Sequence, residues 1–410
     1  MTRRSFSVAA ALFPVRLGAK PEIRREVFLR SPVKGVAVMA FAYYTRKAGG
    51  DMVSVEQRWS RSDTIDVAYI RRSSDHGKTW SAPVEQPTGE KRPGGMLRRH
   101  LRAGFVDPHT GRYLEFWNEG ILPTDDPLEG MRQWNLFYRL DGKAHQIMQS
   151  GAEFGPRHPL PGVYTGKNCV MIGDTACVPL GRKGEILLPV DTTALNPDGS
   201  LYNPTGGYTY TDAVVLHGAW RGGRLEWRMA QAVKGDPRRS TRGMDEPTVA
   251  ELADGRLILV MRGSNDKRPE LPGYRWISFS KDGGWTWTEP RPWTYTSGET
   301  FYSPSSCSQL LPHPNGRLYW LGNISPGNPR GNRPRYPFFI GEVDRESGLL
   351  IRDRVRLVDD RQPGEPELLT LSNFYAREDR ETGGVALHMT RLIAQPGGWS
   401  GDAMLYRIEV

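Results

Sequence analysis

One phrase recurs along this chain: a turn carrying glycine, followed by a short apolar run. It reads KGVAVMAF at Gly35, TGRYLEFW at Gly111 and KGEILLPV at Gly184. It returns as DGRLILVM at Gly255, NGRLYWLG at Gly316 and TGGVALHM at Gly383. The intervals are 76, 73, 71, 61 and 67 residues, so six units fill the 410 residues from end to end. Glycine at each turn can take the positive φ that other residues avoid. The runs show no sustained helical period and read as strands buried on both faces. A unit that cannot bury its own faces must stack on a copy of itself. The expectation is an all-β chain, a six-bladed β-propeller of four-stranded antiparallel blades, with residues 20–410 as one domain. Two tandem β-sandwiches are the other arrangement such strands allow, but no low-complexity linker divides the chain.

Composition narrows the partners. With 46 Gly, 32 Pro and 12 Trp the chain suits many short strands and tight turns. A net charge of +9 attracts anions, without choosing between nucleic acid, membrane and acidic sugars. No basic run with interleaved aromatics occurs, which argues against nucleic acid. No apolar stretch is long enough to span a membrane. No carboxylate cluster has calcium-loop spacing and no Cys/His set has zinc spacing, so neither metal nor cofactor is expected. Acidic carbohydrate stays open as the partner class, and a monomer is expected. Residues 1–19, MTRRSFSVAAALFPVRLGA, resemble a twin-arginine export signal and imply a secreted or periplasmic protein. The run is short and lacks a clean A-x-A site, so a disordered basic N-terminus is the alternative. Of three Cys, Cys169 and Cys177 could close a small loop, leaving Cys307 single.

Two octets, SSDHGKTW (Ser73–Trp80) and SKDGGWTW (Ser280–Trp287), share the pattern S-x-D-x-G-x-T-W. Each reads as a hairpin staple between later strands of its unit. The Asp (Asp75, Asp282) accepts N–H bonds across the turn, the Gly (Gly77, Gly284) permits positive φ, and the Trp (Trp80, Trp287) fills space between units. VDRESGLL at Asp344 looks like a degraded third copy. The octet is the Asp-box (BNR) repeat, and with six units the chain resembles the sialidase (neuraminidase) superfamily. This resemblance specifies architecture better than function, which must be argued from the site.

The resemblance implies a glycoside hydrolase that holds a sugar carboxylate with three arginines, attacks with a Tyr polarised by a Glu, and uses a loop Asp as acid/base; such a Tyr nucleophile departs from the usual pair of carboxylates. DEPTVAELADGRLILVMR is similar to the family's E-P-x-V-x-E-L-x-D-G-x-L…R segment, which assigns Glu246 to the nucleophile pair and Arg262 to the triad. The family's first triad arginine sits about ten residues before the first Gly turn, so the resemblance implies Arg25, with Arg24 and Arg30 nearby, although the R-I-P phrase is absent. The family's third arginine lies about ten residues before a later Asp-box, so the resemblance implies Arg335, nine before Asp344, with Arg333 beside it. Asp63, ten residues before Ser73, takes the acid's place, and Asp66 falls within the strand. The nucleophile departs from the pattern: its register falls near Leu371 or Ser372, and the nearby tyrosine is Tyr375.

Two other readings stay open. GMLRRHLRAGF places Arg98, Arg99, His100 and Arg102 together. A uronate lyase, or a hydrolase of rhamnosyl–uronate linkages, needs arginine for the carboxylate and a neutral base, and cations around His100 disfavour its protonated form. On a strand, His100 and Arg102 share a face and Arg99 points away. A non-catalytic sugar-binding propeller would instead use Trp59, Trp117, Trp134 and Trp293 as stacking faces.

Overall fold

The computed structural model describes residues 22–147, 160, 162–164, 166–395 and 398–410. The expected export signal at 1–19 lies outside them. Among the described residues nearly all regular structure is β, and no helix is long and apolar enough to cross a membrane.

Six larger antiparallel sheets follow one another along the chain. The first orders Ala37–Tyr44, Met52–Trp59, Val67–Ser73 and Val84–Gln86. The second carries Gly95–Leu101, Tyr113–Leu122, Asn135–Leu140 and Lys143–Gln146, with Gly89–Arg92 on its edge. The third runs from Val170–Met171 through Glu185–Thr192 and Asp212–Arg221 to Arg224–Met229. The fourth orders Asp245–Glu251, Leu257–Arg262, Arg275–Ser280 and Arg291–Pro292. The fifth orders Gln309–Pro312, Leu318–Asn323, Phe338–Val343 and Arg356–Asp359. The sixth orders Phe374–Asp379, Gly384–Thr390, Ala403–Ile408 and then Ile23–Leu29 from the other end of the chain.

From the third sheet onward each packs on the next through its early strands. Glu185–Thr192 touches Asp245–Glu251, which touches Gln309–Pro312, which touches Phe374–Asp379; Gly384–Thr390 returns to Ala37–Tyr44. The apolar clusters straddle these joints. Phe338 of the fifth sheet meets Phe374 of the sixth edge-to-face at 4.8 Å, both fully buried. An aromatic pair of this kind adds about 0.5–1.5 kcal/mol beyond the area it buries.

All six turn glycines have positive φ, between 71° and 86°. Five of them join two strands of one sheet, as expected. Gly35 does not. The strand before it, Ile23–Leu29, pairs with Ala403–Ile408 in the sixth sheet, and the strand after it opens the first. The turn there steps between sheets, because the N-terminal strand ties the two ends of the chain together.

The octets sit as expected between third and fourth strands. Asp75 accepts from the Ser73 hydroxyl at 2.7 Å, the Thr79 amide at 3.0 Å and the Thr79 hydroxyl at 2.6 Å. Asp282 repeats this set with Ser280, Trp285 and Thr286. Trp287 is buried between the third and fourth sheets. Asp344 makes the shortened version, with Glu346 and Ser347. Cys169, Cys177 and Cys307 are all free and buried, so the small loop that Cys169 and Cys177 could close is not formed.

Candidate active site

A cavity of about 650 Å³ opens where ends of early strands from several sheets meet. The run after each Gly turn is apolar until its last residues, and there it turns polar. Arg262 ends LILVMR, Asp191 follows ILLPV, and Asn118 follows EFW; all three line the cavity.

Glu246 sits at φ 46° within a bulge of the strand Asp245–Glu251. A non-glycine residue in the left-handed region costs about 1–3 kcal/mol and is held by its surroundings. The holding groups are visible. The Glu246 amide donates to Asp191 Oδ1 at 2.8 Å and to Asp245 Oδ1 at 3.1 Å. Its carboxylate takes Arg262 Nη1 on Oε1 at 2.5 Å, while Oε2 is buried with no partner in the structure. Gly173 must lack a side chain here, since a Cβ would come within 2.1 Å of Asp191 Oδ2 and 2.9 Å of Glu246 Cγ.

Arg262 and Arg335 converge on Ser305. Arg262 Nε donates to its hydroxyl at 2.7 Å; Arg335 Nε and Nη2 donate to its carbonyl at 3.1 and 2.9 Å. Burial works against the Arg262 charge, but Glu246 and Asp245 outweigh it and hold the group above its ordinary range. Arg335 has no carboxylate within ion-pair distance among the described residues. Burial, then the Arg262 charge, pull it down to about 10. A third guanidinium, Arg242, lies 3.5 Å from Asp245 Oδ2 and donates to Thr209. Burial and Arg262 lower it as well. The arginine group is therefore Arg242, Arg262 and Arg335.

Arg25 is not part of it. Its strand is the one that closes the sixth sheet, and its side chain pairs with Asp359 at 3.1 Å. Tyr375 is also elsewhere. It is buried among Phe41, Tyr43 and Val55, and burial pushes its phenol up to about 12, the opposite of an activated nucleophile. Of the two positions to which the register pointed, Ser372 lines the cavity, together with Asn373, and Leu371 does not.

Asp63 does line the cavity, at φ 52° in the exposed turn between two strands of the first sheet. It accepts from the Tyr208 hydroxyl at 3.0 Å and from Ser62 at 2.7 Å. His100 and Arg102 line the wall together; Arg99 faces away and pairs with Glu119 at 2.5 Å. Burial, then the charges of Arg102 and Arg98, drive His100 down to about 3, so it is a neutral imidazole with a buried Nε2 lacking a partner. Trp59 and Trp134 reach the cavity, whereas Trp293 is wholly buried and Trp117 packs on Phe137.

Four carboxyl groups of the cavity carry no role in the sequence reading, Asp174, Asp191, Asp245 and Asp266, and two of them are strongly shifted. Asp174 follows Gly173 on a loop; burial and then the Glu246 charge raise it to about 6. Asp191 is fully buried, and burial with Asp245 and Glu246 raises it well above the carboxylate range. Carboxyl groups forced apart in this way are the pattern of acid/base sites.

No family model matches the chain, and no curated protein does. Solved structures resemble it in fold. One is a protein of unknown function from Dyadobacter fermentans (TM-score 0.58, 16% identity, 95% of this chain and 99% of that one). A Trypanosoma rangeli sialidase with the inhibitor DANA matches at TM-score 0.55 and 14% identity, over 94% of this chain and 59% of that one. The Penicillium chrysogenum alpha-L-arabinanase with arabinobiose matches at 0.54 and 15%, over 95% and 99%. This nearly all-β chain, four of whose sheets have four strands each, thus shares its fold with sialidases and an arabinanase.

Proposed function

We propose that the chain is an exo-acting glycoside hydrolase for a carboxylate-bearing sugar, working at the central mouth of a six-bladed propeller. The observation that carries the substrate class is Arg335. It is a largely buried guanidinium with no carboxylate at ion-pair distance among the described residues, set beside Arg262 and Arg242. Arginine's planar fork suits a carboxylate through two parallel bonds. The sugar carboxylate docks on these three groups. Asp174, protonated below about pH 6, donates a proton to the leaving oxygen. Glu246, with Oε1 fixed by Arg262 and Oε2 buried without a partner among the described residues, attacks or activates water. Asp63, held by Tyr208, orients the sugar at the rim. This departs from the tyrosine mechanism, because Tyr375 is in the core.

The neutral His100 beside Arg102 favours one second reading, elimination across a uronate, with His100 as the base. One assay separates them. Aryl glycosides of sialic and uronic acids are followed for released phenol, and uronate polysaccharides for unsaturated ends by ultraviolet absorbance and for new reducing ends. Phenol release that falls at least tenfold in Arg335→Ala supports the hydrolase. Unsaturated ends alone move the assignment to His100, and silence in every channel rejects both.

A further inference from the structure

The loop that delivers Arg335 carries two more arginines to the cavity rim. Arg330 and Arg333 both line it and both are exposed. Among the described residues neither guanidinium makes a hydrogen bond or an ion pair. Other loop arginines of this chain are quenched locally, as Arg238 is by Asp236 and Arg268 by Glu270.

The loop beneath them is built, not slack. Arg330 and Arg333 exchange backbone bonds of 2.9 and 3.1 Å. Between them Gly331 takes φ 56° and donates its amide to Asn265 Oδ1 at 2.7 Å. A Cβ there would come within 2.9 Å of Asp266 Cβ, so only glycine fits. Asn265 also donates to the Pro329 carbonyl at 2.8 Å, and Ser305, the shared partner of Arg262 and Arg335, donates its amide to Gly331. The neighbouring acid, Asp266, accepts from Thr241 and Ser264 hydroxyls and from the Lys267 amide. A rigid turn therefore holds two uncompensated positive charges beside the arginine group and fixes their spacing to it.

We propose that Arg330 and Arg333 bind a second anionic group, a carboxylate or sulfate on the sugar adjoining the one held by Arg335. The substrate is then an acidic glycan charged on successive residues. This rests on the carboxylate-binding part of the proposed function. Desolvating a lone rim charge gains little, but two arginines converging on one anion give a charge-assisted contact whose strength falls with salt.

The test is calorimetric titration with four probes at 50 and 200 mM salt (settings on the order of those that expose screening). They are galacturonic acid, trigalacturonic acid, glucuronic acid and a sulfated heparin tetrasaccharide. The expected result is that at least one oligomer binds more tightly than its monomer, with the steeper salt dependence. Arg330→Ala/Arg333→Ala should weaken that oligomer by about tenfold more than the monomer, and the Lys/Lys variant should recover most of the loss. A preference for trigalacturonate assigns the second group as carboxylate; a preference for the heparin fragment assigns it as sulfate. Equal weakening of monomer and oligomer, or no oligomer binding better than its monomer, overturns the proposal. If Arg335→Ala weakens the monomers while the rim variant spares every oligomer, this inference fails and the proposed function stands. If aryl glycosides are inert yet the rim variant still discriminates, the hydrolase reading fails and the second anion site stands.

Discussion

The aspartates of the octet turns and those of the cavity are the same side chain in opposite circumstances. Asp75 and Asp282 lie near solvent and accept hydroxyl and amide bonds from their own turn, and these bonds hold both well below the carboxylate range. Asp174 and Asp191 are withdrawn from water, face other carboxylates, and are pushed up. Asp191 Oδ2 and Glu246 Oε2 are buried with no partner in the structure. A carboxylate whose lone pairs are filled by its own chain stabilises the fold. One left unfilled costs stability and is free to act on something else.

The largest break in that contrast comes from neutralising the cavity carboxylates. Glu246→Gln and Asp174→Asn are each expected to lower kcat by about 10²–10⁴-fold, the range for losing a positioned acid or base. In the parent, activity should fall as pH rises through about 6, because Asp174 must carry the proton. A pH–rate profile unchanged in Asp174→Asn would remove it from the mechanism and return the acid role to Asp63.

Arg335→Ala comes next. Losing a charge-assisted fork should raise KM for the carboxylated sugar by about 10–100-fold. It should leave a methyl ester of that sugar far less affected, and Michaelis constants for the acid and ester pair check this. Equal losses on both would show that Arg335 shapes the cavity and does not read the charge.

A stability measurement sharpens the comparison from the other side. Asp191 has a raised folded pKa, so its contribution is present below the unfolded carboxylate value and lost as pH rises through the folded one. Asp191→Asn keeps an acceptor for the Glu246 amide and deletes the ionisation. Its Tm should exceed the parent's at pH 8 and match it near pH 4, the order of an unperturbed carboxylate pKa. A lower Tm at pH 8 would mean that the ionised group stabilises the cavity after all. Better stability with poorer activity is what a strained site leads one to expect.

Much of this was legible because it was local. A glycine before an apolar run is a turn, and six of them announced the sheets. Glu246 and Arg262 were visible because both belong to one hairpin, as were His100 and Arg102, two apart on one strand edge. Arg25 failed for a topological reason: its strand pairs with Ala403–Ile408, more than 370 residues away in sequence, and no local pattern reports that. Tyr375 failed by register, since the cavity is reached by Ser372 and Asn373 before the strand's buried face begins. Arg242 and Asp174 lie on loops, where no periodicity marks a side chain as inward. The polar residue that ends each apolar run would have flagged Asp191.

The smallest effect belongs to the octets. Asp282→Ala removes bonds to Ser280, Trp285 and Thr286 from a turn whose Trp287 stays buried in the joint between two sheets. The expected loss is a fall in Tm of about 2–4 °C at pH 7, with kcat and KM unchanged. The pH dependence has the opposite sign to that of Asp191. Asp282's folded pKa is depressed, so its contribution is present above the unfolded value of about 4 and is lost as pH falls on through the folded value well below it. Parent and variant Tm values should therefore still differ at about pH 4, where the Asp191 pair converges, approach each other only in stronger acid, and separate in the opposite direction to that pair as pH rises. A change in kcat from Asp282→Ala would show that the turn positions the cavity through the Arg275–Ser280 strand, and the division between structural and chemical aspartates would have to be redrawn.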